Sequence, residues 1–425
     1  MSELALPDAG TLRVPLRIAL LGYRSNPYSG GQGIYLKYTS QALVDAGHQV
    51  DVISGEPYPE LDARVGLIKL PGLNLFAQES HLTALRPRHL LSATDFFEWF
   101  SMASGGFPEP YTFGQRVARY LSQPGHGYDI IHDNQSLSYG VLRLQQHTPL
   151  LTTIHHPITW DRDIALAHAP SWRQRLLIRR WHNFLNMQSA VAKKLRHIVT
   201  VSERSRKDIG DAFEIDADRI HVIYNGIDTD VFRPEPAIAR NPWQLITTAS
   251  ADQPLKGTQH LIPAFARLVR AFPKLRLVFI GRPKPGGETE KLINRHGIKD
   301  RIRFVHGIPP EEIRHLYASS AIAVVPSEYE GFGLPAGEAM ACGVPVVSTD
   351  GGALPEVVGD AAEVVPAGDP HALGDAIAGL LNNDGARERL GRLGRQRIIE
   401  RFSWQRAAEQ MTELYQQIGR AQHES

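Results

Sequence analysis

The sequence predicts an α/β protein of two parallel-sheet domains that face each other across a cleft. Two observations carry this expectation. Short apolar runs alternate with helix-patterned segments along the whole chain, and the series starts afresh after a proline-rich stretch near its middle. A third is length: 425 residues exceed one ordinary core and imply two or three domains.

The first series of expected strands is Arg17–Leu21, Gln49–Ile53, Asp129–His132, Leu150–Ile154 and His197–Val201. The second is Gln244–Thr248, Leu275–Ile280, Ile302–Val305, Ile322–Val325 and Val344–Ser348. Many of these runs are apolar throughout, as suits parallel strands covered on both faces. Alternation with helices implies right-handed crossovers and an open sheet. Between the series, Pro234, Pro236 and Pro242 oppose both helix and sheet ladder, so the linker is placed at about residues 230–242. The domains are then 1–230 and 242–402, with a closing segment 403–425 that carries a helix around Trp404–Ile418. Ligands of open α/β sheets sit at the carboxyl ends of strands, so the cleft between the sheets is the expected site.

Composition narrows the function classes. The chain is 42% hydrophobic and 21% charged, with a formal net charge of +1, which lacks the basic field that nucleic-acid binding needs. Cys342 is the single cysteine, so no intrachain disulfide forms, and a reducing compartment fits. Met1 to Pro15 carries Glu3 and Asp8 and has no apolar core of signal-peptide length. No run approaches the roughly 20 apolar residues of a membrane span. A cytoplasmic protein is expected, meeting a membrane only at its surface.

The most informative segment runs from Pro326 to Pro345, PSEYEGFGLPAGEAMACGVP. A strand ends near Val325, Gly331 and Gly333 permit a tight turn, and Pro335 suits the first turn of a helix. Free N–H groups from about Phe332 to Ala336 would point into the cleft, where a helix start binds phosphate. Carboxylates beside a diphosphate would repel it, so Glu330 and Glu338 need another role. Accepting hydrogen bonds from sugar and ribose hydroxyls supplies one. The alternative is that they are solvated acids, favourable at any helix start.

Lys256 and Gly257 follow a strand and open a helix; the lysine suits a phosphate as a point charge, or is a solvated residue. Gly30-Gly31-Gln32-Gly33 follows the first strand and allows close backbone approach, or is a flexible turn. Its spacing is not that of a dinucleotide fingerprint. His155 and His156 end an apolar strand and point toward the cleft, though a lone histidine is more often structural. His132 and Asn134, after another strand, and His156 are candidates for the acceptor side, with a helix N-cap as the alternative for Asn134 or Ser136.

The Pro326–Pro345 segment resembles the paired-glutamate motif of the retaining glycosyltransferases of family four. The resemblance extends through Ala339-Met340-Ala341 and Gly343 to Val347 and, more weakly, covers about Arg17 to Trp404. It implies the GT-B fold: two Rossmann-like domains across a cleft, with a C-terminal helix returning toward the first. It implies that Glu330 contacts the transferred sugar, that Glu338 holds the ribose, and that the backbone at Phe332, Gly333 and Leu334 meets sugar or diphosphate. Lys256 matches the family's diphosphate lysine. The arginine the family usually carries a few residues earlier is absent, since Ser250 and Ala251 occupy that stretch; Arg282 is the candidate replacement. Gly31 and Gly33 match a loop near the diphosphate, and His155, favoured over His156, matches a strand-end histidine beside the sugar. Gly307 matches the loop bordering the base. Val201-Ser202-Glu203 and Asn225-Gly226-Ile227-Asp228 resemble segments near the hinge.

The implied reaction moves a hexosyl unit, with retention, from a nucleoside diphosphate sugar to an acceptor hydroxyl, with UDP the commonest carrier in the family. Lys256 and the N–H groups near Gly333 and Leu334 would stabilise the leaving diphosphate. No cofactor is expected. Asp161-Arg-Asp163 and Asp228-Thr-Asp230 spell a metal-binding pattern of a different fold and are discounted, so no metal is expected. The acceptor is a sugar, lipid or small molecule. Leu73–Phe113, rich in aromatics such as Phe76, Phe96, Phe97 and Phe100, reads as irregular helices or as an insertion facing the acceptor. The basic, aromatic stretch Trp172–Trp181 reads as a solvated helix face or a surface for anionic lipid. Competing classes are a non-catalytic sugar-nucleotide-binding protein and a GT-B epimerase or phosphorylase. A nicotinamide dehydrogenase is disfavoured by the missing fingerprint.

Overall fold

The structure, a computed structural model, describes residues 14–27, 31–75, 86–167, 169, 171–249 and 252–423. The N-terminal stretch, Gly30, Phe76, Ser250 and Ala251 lie outside the described residues. The first sheet has strands β1 (Arg17–Gly22), β2 (Gln49–Ser54), β3 (Gly66–Lys69), β4 (Ile130–Asn134), β5 (Leu150–Thr153), β6 (Ile198–Thr200) and β7 (Ile220–Val222). The second has β8 (Asn241–Thr248), β9 (Arg276–Ile280), β10 (Ile302–Val305), β11 (Ser320–Val325), β12 (Val346–Thr349) and β13 (Glu363–Val365). Both are parallel throughout, in the orders β3-β2-β1-β4-β5-β6-β7 and β10-β9-β8-β11-β12-β13.

The apolar strands are central, as their composition demands. Every residue of β4, β5, β11 and β12 is buried, because helices cover both faces of each sheet. Three strands escaped the sequence reading: β3, β7 and β13 are three or four residues long, partly exposed, and close the sheet edges. The linker differs at its end. Pro242 lies inside β8, one residue after Asn241 pairs with Ser320, and the register slips immediately beyond that pair. A proline is tolerated at a strand start beside such an irregularity because no regular ladder bond is lost.

The chain crosses between domains twice, at neighbouring points. The N–H of Ile227 donates to the Phe402 carbonyl at 2.8 Å, joining the outgoing and returning segments. The helix Trp404–His423 then returns to the first domain. Its Met411, Leu414, Tyr415 and Ile418 are buried with Ile18, Leu20, Leu36 and Val50. Burying each such side chain contributes about 1.5–3 kcal/mol, so the helix is an integral layer of that domain.

The aromatic stretch before Phe113 forms a short 3-10 turn (Pro87–Leu91) and the helices Ala93–Ala103 and Glu109–Leu121. Phe113 is core, and Phe107 stacks on Trp181 with ring centroids 5.2 Å apart, but Phe96, Phe97 and Phe100 remain exposed. The helix Trp172–Trp181 buries none of its residues, and its Trp172, Leu176 and Leu177 face solvent. Arg180 ties it to the Ala93–Ala103 helix through Ser104 Oγ at 2.7 Å. Among the described residues, no helix is long and apolar enough to cross a membrane.

Candidate active site

Strand order alone aligns the second domain's candidates. The neighbours β10-β9-β8-β11 end in the loops that carry Gly307, Arg282, Lys256 and Glu330 respectively. The Lys256 loop is a turn of 3-10 helix, Pro254–Lys256, closed by Gly257 at φ +67°. A Cβ at Gly257 would overlap the Pro326 carbonyl, so glycine lets this loop lie against the end of β11. Lys256 Nζ consequently donates to Glu330 Oε1 at 2.8 Å, and Ser327 Oγ donates to the same oxygen at 2.8 Å. Both charges are largely buried, the side chains being 24% and 10% exposed. An ammonium has three donors, so Lys256 can hold Glu330 and still offer hydrogens to a second anion.

After Glu330 the chain turns through Gly333, φ +101°, into the helix Leu334–Ala341. The N–H groups of Phe332, Gly333 and Leu334 have no acceptor among the described residues, which leaves a helix start with open donors. The Phe332 side chain takes no part: it is 4% exposed and packs edge-on against Phe402, so only its backbone reaches the cleft.

One turn into that helix, the Glu338 carboxylate has no hydrogen-bond partner among the described residues. Burial pushes its pKa up to about 8. Tyr38 of the first domain, Tyr317 and Cys342 feel its charge, which places it at the domain junction. An unpaired carboxylate in such a place is unfavourable until hydroxyl donors reach it.

The remaining second-domain candidates are looser. Arg282 is exposed and has no partner among the described residues. Its loop is fastened to the Lys256 loop by Asp252, which accepts from Lys284 N at 2.7 Å and Thr289 N at 2.8 Å. Gly307 is exposed at φ +66° with open space around it.

In the first domain, His155 follows β5 and is half-buried. Asn134 Nδ2 donates to the Gln32 carbonyl at 3.2 Å, which turns the amide oxygen toward His155 Nε2, 2.6 Å away. His155 Nε2 therefore carries the proton, and Nδ1 is left to accept. Burial, with His156 and His132 nearby, lowers the His155 pKa to about 3, so the ring is neutral. Tyr35 packs edge-on to it at 4.7 Å. A Cβ at Gly331 would lie 2.9 Å from the His155 carbonyl, so this strand end abuts the Glu330 loop.

Other first-domain candidates are corrected. His132 is 1% exposed, with Nδ1 2.6 Å from Tyr415 Oη and Nε2 2.6 Å from Thr153 Oγ1. Both nitrogens are used, so His132 anchors the C-terminal helix and cannot touch an acceptor. Asn134 is likewise buried and acts on His155, not as a cap or an acceptor contact. His156 turns to Asp161 Oδ2 at 2.9 Å and lies at the cleft beside Tyr329. Gly33 is needed for packing, since a Cβ there would overlap the Asn26 carbonyl; Gly31, exposed with nothing nearby, is open to a ligand. Asp163 pairs with Arg162, and the Asp228 carboxylate caps the N–H groups of Asp230 and Val231.

Sequence reasoning missed the contacts between domains. Tyr329 Oη donates to Asp208 Oδ2 at 2.8 Å, and Trp160 stacks on the Tyr329 ring with centroids 5.6 Å apart. Ser202 Oγ and Ser205 Oγ donate to the Gly331 carbonyl at 2.7 and 3.1 Å. The Glu356 carboxylate accepts from the N–H groups of Glu203 and Arg204 at 2.9 and 2.6 Å. The only sequence signal was Val201-Ser202-Glu203, through its resemblance to a segment near the hinge.

Known proteins match this chain over both domains. A family model described as Glycosyltransferase Family 4 matches residues 29–231, and one described as Glycosyl transferases group 1 matches residues 228–397. The MMP alpha-(1->4)-mannosyltransferase of Mycolicibacterium hassiacum is 43% identical over 94% of this chain and 98% of its own length. The D-inositol 3-phosphate glycosyltransferase of Xylanimonas cellulosilytica is 30% identical over 94% of this chain and 96% of its own. Sucrose-phosphate synthase from Thermosynechococcus elongatus shares the fold at a TM-score of 0.71 and 24% identity, over 96% of this chain and 100% of that one. HepE of Anabaena, solved with UDP and glucose, does so at 0.68 and 18%, over 94% and 99%. The chain is a glycosyltransferase and belongs to the family-four transferases of GT-B fold.

Proposed function

We propose that this glycosyltransferase moves a mannosyl unit from a nucleoside diphosphate mannose to a hydroxyl of a sugar acceptor, with retention, forming an α linkage. The Lys256–Glu330 pair beside the open helix start at Gly333 carries the reading of the site, because it joins a sugar-binding carboxylate to a cation for the leaving diphosphate. The sugar and linkage are supported by the 43% identical mannosyltransferase.

In this reaction Glu330 accepts hydrogen bonds from the transferred sugar, and Glu338 accepts from the ribose. Lys256 and the N–H groups of Phe332, Gly333 and Leu334 face the charge that grows on the diphosphate as the glycosidic bond breaks. Arg282 adds positive charge from the next strand end. Gly31 brings the first domain's backbone to the diphosphate, and neutral His155 accepts a sugar hydroxyl. The acceptor attacks the face the diphosphate leaves, and its proton passes to a phosphate oxygen. No metal enters this scheme, and closure of the two domains excludes competing water.

The test is transfer with UDP-, GDP- and ADP-mannose, UDP first, with EDTA and with added manganese. Turnover of one of these donors, indifferent to EDTA, supports the reading. Turnover that EDTA abolishes and manganese restores refutes its metal-free part. We place the reaction in the cytoplasm. The exposed Trp172–Trp181 helix is a surface where anionic lipid could be met, which co-sedimentation with phosphatidylglycerol vesicles would check.

A further inference from the structure

Glu330 is held by its own domain, while the hydroxyl of the residue before it and the carbonyl of the residue after it are held by the other. Lys256 and Ser327 bind its carboxylate, and Ala353 N donates to its carbonyl at 2.8 Å. Tyr329 and Gly331, its chain neighbours, are tied instead to one first-domain helix, Glu203–Phe213, and to its N-cap Ser202. Asp208 of that helix takes the Tyr329 hydroxyl, and Ser202 and Ser205 grip the Gly331 carbonyl. Asp208 is fixed in turn by Arg204 Nε, 2.9 and 3.0 Å from its two oxygens. A further tie runs through the start of the same helix to Glu356, two residues beyond Leu354 and three beyond the Ala353 that holds the Glu330 carbonyl.

These bonds are sheltered: Tyr329, Asp208, Ser202 and Ser205 are all at most 5% exposed. A phenol that donates to a buried carboxylate strengthens its bond, and a polar group left unpaired there is costly. The Tyr329 hydroxyl and the Gly331 carbonyl are therefore satisfied in this way only when the two domains are together. If they part, the Tyr329 hydroxyl and the Gly331 carbonyl lose these partners, and the loop between β11 and the next helix keeps only its second-domain ties, at Ser327, Glu328, Glu330 and the Tyr329 backbone.

We infer that Tyr329, Asp208 and Ser205 are positioning residues, which set the Glu330 backbone from the opposite domain so that the sugar-binding carboxylate takes its place as the cleft closes. None of the three need touch the donor. Nucleotide affinity should change little in their variants, because the proposed nucleotide contacts other than Gly31, namely Lys256, Arg282, Glu338 and the helix start, belong to the second domain, and none of the three touches Gly31. The inference rests on the reading of Glu330 as the sugar contact.

The experiment compares Tyr329→Phe, Ser205→Ala and Glu330→Gln with the unmodified enzyme. Tyr329→Phe keeps the ring stacked on Trp160 and removes only the hydroxyl; Ser205→Ala spares the N-cap Ser202. Each loses one hydrogen bond, so kcat should fall about tenfold in Tyr329→Phe and several-fold in Ser205→Ala, with the pair together lower still. The dissociation constant of the free nucleoside diphosphate should stay within twofold in both. An unchanged kcat in both, with Glu330→Gln strongly impaired, overturns the inference and leaves the sugar-contact reading intact. Nucleotide affinity lost in step with kcat also overturns it, since that marks general loss of structure. An unimpaired Glu330→Gln overturns the sugar-contact reading and this inference with it.

Discussion

Lys256 Nζ and Glu330 Oε1 lie 2.8 Å apart, although 74 residues separate them in sequence. The pair is the junction of the two proposed binding functions, one for diphosphate and one for sugar. Removing the lysine would leave Glu330 buried without its counter-charge, held by Ser327 Oγ, while also removing the cation at the leaving group.

Lys256→Ala should therefore lower kcat/KM at least tenfold, and by more if both losses add. Lys256→Arg should recover only part, because a planar guanidinium does not reproduce the compact ammonium between two anions. Steady-state kinetics on the active donor checks both.

Glu338 should couple nucleotide binding to pH. Its folded pKa is about 8, raised by burial, against an ordinary unfolded value of about 4.3. The folded state thus binds more protons between these values, so this group's contribution to stability is complete below pH 4 and falls as pH rises toward 8. Glu338→Gln removes that loss and should melt higher than the unmodified protein at pH 8.5. Ribose hydroxyls donate best to the ionised carboxylate, so nucleoside diphosphate affinity should rise between pH 7 and 9, where the phosphates are already ionised. Glu338→Gln should bind more weakly and lose that dependence. Thermal melts and titration calorimetry at both ends of the range read these effects.

Neutral His155 predicts the opposite kind of profile. Its pKa near 3 places its titration below the working range, so no rate inflection between pH 5 and 7 should vanish in His155→Ala. That variant should lose about tenfold in kcat by losing one hydrogen-bond acceptor. Asn134→Ala, which releases the ring, should move in the same direction.

Tyr415→Phe should leave His132 Nδ1 without a partner in a buried place and cost about 1–3 kcal/mol. Denaturant unfolding should show this loss, while nucleotide affinity should not change, because His132 is an anchor of the C-terminal helix and not part of the cleft.

The contrast between Glu330 and His132 explains what the sequence could tell. Glu330 and Lys256 stand in local patterns whose chemistry is evident over a few residues, glycines that free the backbone and a proline that starts a helix. The central strands are equally evident, since residues such as those of β11 are apolar at every position. His132 looked like a cleft residue because it also follows an apolar run, but its partner Tyr415 lies 283 residues away. Asp208 and Glu356 were invisible for the same reason: each acts across the domain junction, on partners that only the assembled fold supplies. The edge strands β3 and β13 are half-exposed and lack the apolar signature that identified the others.

The measurement that bears most directly on the proposed reaction is the anomeric configuration of the first product, followed by proton NMR as a nucleoside diphosphate α-mannose is consumed. The account predicts an α-linked product at the earliest times, formed at least tenfold more slowly by Lys256→Ala and Glu330→Gln. An initial β-linked product, or α product formed at full rate by both variants, would contradict it.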